Sequence, residues 1–136
     1  MSASEWGNLL SNPQAIYTLF DEVPDLGSSD LFHLLADERG DSITLGFETH
    51  QTPARIKPEW AGREFNSFTF YLVFDGVQEL SIRGWTSPAQ KSVAAHREAD
   101  GNLLVALTSE STTVSFRART VSISGAKVGL VSRCSY

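Results

Sequence analysis

Four kinds of side chain in this sequence are capable of chemistry: three histidines, a single cysteine, several close-set carboxylates, and a handful of tryptophans and tyrosines. His33 lies within an apolar strand-like pattern, His50 ends another, and His96 sits in a polar one. None has a nucleophile or a second acid at a spacing that would make a proton-transfer pair. Cys134 has no partner for an internal disulfide, and no Cys/His pair has zinc-type spacing. It reads as a passive residue at a strand end. These side chains predict no catalytic residue, no metal and no cofactor.

The carboxylates are the stronger signal. Residues 1–50 hold nine Asp and Glu against one base, Arg39, whereas residues 51–136 hold seven acids and ten bases. Asp21, Glu22 and Asp25 surround a predicted helix end, Asp37, Glu38 and Asp41 surround a predicted hairpin, and Glu48 follows. Acids are ordinary residues in solvated turns, and an acidic half can pair internally with a basic one. Six acids in two neighbouring connections, with only Arg39 among them, exceed what turn chemistry needs. We therefore read Asp21, Glu22, Asp25, Asp37, Glu38, Asp41 and Glu48 as a surface for a cationic partner.

A net charge of −5 disfavours nucleic acid, whose binding depends on clustered Lys and Arg to neutralise phosphates. A basic protein suits it better. The rival reading is an aromatic platform for a small ligand or carbohydrate, formed by Trp60, Tyr71 and Trp85. Large aromatics more commonly plug cores and loop bases.

The length of 136 residues fits one domain over 1–136, and eight Phe and three Trp supply bulk for a core. The N-terminus lacks the form of a secretory signal and the apolar runs are too short to span a bilayer, which together predict a cytoplasmic protein. Residues 1–26 read as helical, with Trp6, Leu9, Leu10, Ile16, Tyr17, Leu19 and Phe20 at roughly helical spacing. Pro13 divides them into a turn around Trp6 and a helix from Pro13 to about Asp21, capped by Asn12 or Ser11.

From residue 27 the period becomes two and the chain reads as β-rich. Leu31–Ala36 and Ser42–Thr49 form a hairpin in which Ile43, Leu45 and Phe47 share a face. His50 to Glu64 is a long loop anchored by Trp60. Phe65–Phe74 is a central strand covered on both faces, and Asp75-Gly76 turns it into an antiparallel partner, Val77–Trp85, with Leu80 and Ile82 in phase. Asp100-Gly101 joins Lys91–Glu98 to Leu103–Thr108. The apolar parity flips between Val114, Phe116, Ala118 and Val121, Ile123, placing a bulge or turn near Arg119. The predicted class is α+β, mainly β: an antiparallel meander sheet or sandwich with one or two short N-terminal helices packed on it through Trp6, Ile16 and Phe20.

The sequence of Trp6, Leu9-Leu10, Asn12-Pro13, Ile16-Tyr17, Leu19-Phe20, Val23-Pro24 and Leu26 resembles the start of the immunity protein 50 family of bacterial polymorphic-toxin systems. The likeness continues through Leu31–Phe47, Pro58-Glu59-Trp60, Phe70–Phe74, Val77, Leu80-Ser81-Ile82 and Gly84-Trp85, and thins after Pro88. It implies a small cytoplasmic, non-enzymatic protein that neutralises a cognate toxin by direct binding. The matching positions carry the fold, so the resemblance transfers no interface residue.

Overall fold

The computed structural model describes residues 3–84, 89–90 and 92–130. Its strands there are β1 (Asp30–Asp37), β2 (Ser42–Thr49), β3 (Ser67–Asp75), β4 (Gln78–Arg83), β5 (Ala89–Gln90), β6 (Ser92–Arg97), β7 (Leu103–Thr108), β8 (Thr113–Ala118) and β9 (Thr120–Gly129). They form a five-stranded sheet, in the order β5-β1-β2-β3-β9, and a four-stranded sheet, β4-β8-β7-β6. Every pairing is antiparallel.

Period-two alternation explains why these sheets stack. Ile43, Leu45 and Phe47 of β2 and Phe68, Phe70, Leu72 and Phe74 of β3 are all buried, as are Leu103, Val105 and Leu107 of β7 and Val114, Phe116 and Ala118 of β8. Phe74 meets Phe116 edge-on with ring centroids 5.0 Å apart, joining the two inner faces. The result is a sandwich whose core is the interdigitated inward set of both sheets.

The Asp75-Gly76 turn does not make the expected hairpin. β3 lies between β2 and β9, and the chain crosses at Gly76 into the other sheet, where β4 pairs with β8. Gly76 adopts φ +69°, and a Cβ there would lie 2.7 Å from the Arg119 side chain. Asp75 accepts the Arg119 N–H at 2.8 Å, so the outward crossing at Gly76 and the return at Arg119 run side by side. The parity flip is that return: Ala118 faces inward from one sheet and Val121 from the other. Leu80 and Ile82 are also not core residues. β4 is an edge strand, bulged between Gln78 and Ser81, and these two side chains are 40% and 41% exposed.

The predicted N-terminal helices shrink to a 3-10 helix, Ala3–Leu9, and a single turn, α1 (Gln14–Tyr17). Tertiary pairing overrides helix extension here. Asn12 does not cap α1; its amide donates to the Ile123 carbonyl and accepts the Ile123 N–H, both at 3.0 Å. Leu10 makes a parallel bridge to Val121. After α1 the chain turns so that Phe20 packs edge-on against Phe68. Docking itself is as expected: Trp6 stacks on Phe70 at 5.3 Å and donates its indole N–H to Pro24, and Ile16 is fully buried.

The hairpins β1–β2 and β6–β7 form as read, the second around Asp100 and Gly101. The segment from His50 to Glu64 carries no strand and is tied to the N-terminal region. Ala54 and Arg55 donate backbone N–H groups to Leu19, while the Arg55 guanidinium reaches the Tyr17 and Thr18 carbonyls.

Candidate functional site

β1 and β2 place the carboxylates singled out above. Asp37 pairs with Ser42 at the hairpin end of the ladder and Asp30 with Glu48 at the other. Asp37, Glu38 and Asp41 therefore stand at one end of β1, while Asp21, Glu22 and Asp25, which precede the strand, belong with Glu48 to the opposite end. Eight extended residues separate these ends by roughly 20–25 Å. The two connections that are neighbours in sequence thus lie at opposite ends of the sheet.

Their partners differ too. Asp21 accepts a hydrogen bond from Arg55 at 2.7 Å in an exposed pair of the kind that contributes little. The Asp25 carboxylate accepts the Gly27 N–H as a local cap, and Asp37 accepts that of Gly40 within the hairpin. Glu22, Glu38, Asp41 and Glu48 have no ion-pair partner among the described residues. Among the described residues no base of the C-terminal stretch pairs with this set: Arg117 of β8 pairs with Glu79 and Glu98, acids of its own half. Arg133 and Cys134 lie outside the described residues.

Between the two acidic ends runs the outer face of the five-stranded sheet, on which no described element packs. A bulge between Leu31 and His33 breaks the alternation of β1. It turns Phe32 and His33 to the same side, where both are exposed and edge onto Tyr71 of β3 with centroids 5.8 Å away. Gly46 is the floor of this cluster. A Cβ there would come within 2.9 Å of both the His33 Cβ and the Tyr71 ring, and within 3.0 Å of Phe32. Leu35, two positions along from His33, is 53% exposed.

Sequence reading missed Phe32, His33 and Leu35, because the run Leu31–Ala36 looks like a plain apolar strand and hides the bulge. It also missed Asp30 and Asp75, the latter absorbed into a turn signal. Their cue lies in register: Asp75 pairs with Ser42, beside Asp37, so carboxylates flank both ends of one face.

The aromatic set does not converge. Trp60 is 4% exposed, edge-on to the inward-facing Phe68 and with the Lys57 ammonium 5.3 Å from its ring centroid. Tyr71 projects from the other face of the same strand, and Trp85 lies outside the described residues. An apolar void between the sheets, lined by Trp6, Leu10, Phe47, Leu72 and Val105 among others, has a volume of about 10 Å³. That is roughly the space of a single water and far below the ~300–1,000 Å³ of a small-molecule pocket.

The histidines stay apart: His33 is on the outer face of one sheet, His96 pairs with Leu104 in the other, and His50 lies beyond the end of β2. Among the described residues no group of three or more His, Cys, Asp or Glu can hold a metal ion. No helix there is long and apolar enough to cross a membrane.

Comparison with known families finds that the model for immunity protein 50 matches residues 12–129. The chain belongs to the immunity protein 50 family. The match extends past Pro88, where the likeness of individual residues thins, through β6–β9, so the second sheet and the returning strand are part of the family's pattern. It begins at Asn12, the residue that ties the N-terminal segment to β9. No curated protein and no solved structure matches the chain. Membership of an immunity family implies a toxin partner in general terms.

Proposed function

We propose that this protein is a non-enzymatic immunity protein, a single domain acting in the cytoplasm, that binds a cognate basic toxin and neutralises it. The observation that carries the reading is the family match over residues 12–129. The charge distribution supports a cationic partner: among the described residues Glu22 and Glu48 at one end of the five-stranded sheet and Glu38 and Asp41 at the other have no ion pair, while Arg117 of the other sheet is held by Glu79 and Glu98. A toxin that acts on nucleic acid is itself basic where it engages phosphates, and an acidic inhibitor is steered to such a surface. Protection then depends on slow dissociation.

Co-expression with the toxin encoded beside this gene tests the activity: the intact protein restores growth of the poisoned host, and growth arrest in its presence refutes the reading. Charge reversal at Asp37, Glu38 and Asp41, and separately at Asp21, Glu22, Asp25 and Glu48, tests the contact residues. Either set, if it meets the toxin, slows association and flattens its salt dependence. Unchanged kinetics in both would remove these residues from the interface and leave the family assignment intact.

A further inference from the structure

We propose that the toxin docks on the outer face of the five-stranded sheet, with Phe32, His33 and Leu35 of β1 and Tyr71 of β3 as the centre of the contact. This rests on the reading above and names the surface that the reading leaves open. Stable interfaces have an apolar, aromatic centre that carries most of the affinity and a polar rim that sets approach and register. This face has both. Phe32 is 40% exposed and adjoins Tyr71 across the Gly46 floor, and Leu35, 53% exposed, lies on the next row of the same face, opposite Thr44. Rigid ladder pairing holds the cluster in place, because His33 is paired with Gly46, and Gly46 with Tyr71.

Two further observations select a cationic occupant. Asp30 and Glu48 are directly opposed across β1 and β2, and neither has an ion-pair partner among the described residues. Like charges directly opposite each other disfavour the sheet, and a cation arriving from outside relieves that repulsion. At the other end of the same face Asp37 and Asp75 flank Ser42. A partner spanning the face therefore meets carboxylates at each end and aromatic surface between them.

The outer face of the other sheet has neither property. Its middle row, Ala94, Ala106, Ser115 and Ser81, is small, and its Arg117 is already held by Glu79 and Glu98.

The decisive experiment measures binding kinetics of a catalytically inactivated form of the toxin domain encoded beside this gene, against wild type, Phe32→Ala, Leu35→Ser, Asp30→Asn/Glu48→Gln, and the control Leu80→Ser/Ile82→Ser on β4. Phe32→Ala and Leu35→Ser should each weaken binding by about tenfold or more through faster dissociation. Asp30→Asn/Glu48→Gln should act on association and its salt dependence, and the β4 control should match wild type. Hydrogen exchange on the wild-type complex provides a readout free of substitutions: amides of residues 32–37 should slow by about tenfold or more, since that edge of β1 has no described neighbour beyond Leu31.

Wild-type affinity in both β1 variants, unaltered exchange at residues 32–37, or loss confined to the β4 variant would overturn the docking face while toxin binding itself stands. A Phe32→Ala effect on self-association alone would assign the face to a second copy of this chain instead. Failure of the wild-type protein to bind the toxin refutes the function, and the docking face with it.

Discussion

At the scale of the residue, Asp30 and Glu48 are the most exacting pair in the molecule, because they meet across a ladder with no cation between them. Neutralising one, as in Asp30→Asn, should raise stability by about 0.2–1 kcal/mol at low ionic strength, and the gain should fade as salt is added. Urea denaturation at two salt concentrations checks this; a loss of stability would mean that the carboxylate has a structural role. Gly46 makes the opposite prediction. A methyl group there must displace the His33 Cβ, the Tyr71 ring or the Phe32 ring, so Gly46→Ala should cost about 1–3 kcal/mol, read as a lowered midpoint in the same titration. Neither residue's role was legible beforehand. Asp30 is one more acid in an acidic half, and Gly46 lies inside a well-formed strand pattern, so only the register reveals what each one faces.

At the scale of the element, the alternation in β2, β3, β7 and β8 was plain because each strand buries one face, and hairpins β1–β2 and β6–β7 followed from their turn residues. Which sheet a strand joins was not written in that alternation. Asp-Gly serves a hairpin or a crossing between sheets equally well, and at Gly76 the pairing of β3 with β9 on its far side, not the turn, decides the matter. Helical spacing misled for a related reason. Ile16 and Phe20 are buried as the spacing required, yet the Tyr17, Thr18 and Leu19 carbonyls accept from Ala54 and Arg55 instead of from a further helical turn, so α1 ends after one turn. Trp6→Ala should therefore behave as a core deletion, since it removes the stack on Phe70 and leaves the Pro24 carbonyl unpaired. A loss of about 3–5 kcal/mol is expected by urea unfolding, and a loss under about 1 kcal/mol would mean that the N-terminal segment is only peripheral.

At the scale of the whole molecule, sequence asymmetry of charge became a difference between two sheets. Among the described residues Asp30 and Glu48 at one end of the outer face of the five-stranded sheet, and Asp37 and Asp75 at the other, have no ion pair, whereas the four-stranded sheet matches Arg117 to Glu79 and Glu98. Breaking that second network with Arg117→Ala should leave toxin association unchanged, since it lies on the other face; a change in association rate would bring the four-stranded sheet into the contact. The placement of β9 has a further consequence in time. It is the last described strand in the chain, yet it fills the open side of β3, made some fifty residues earlier in synthesis by a ribosome adding about 5–20 residues per second. Until that strand emerges, the flank of the most aromatic strand in the protein stays bare for seconds. A newly made copy therefore cannot close the five-stranded sheet before β9 has been translated, and messages cut short before β9 should yield insoluble polypeptide.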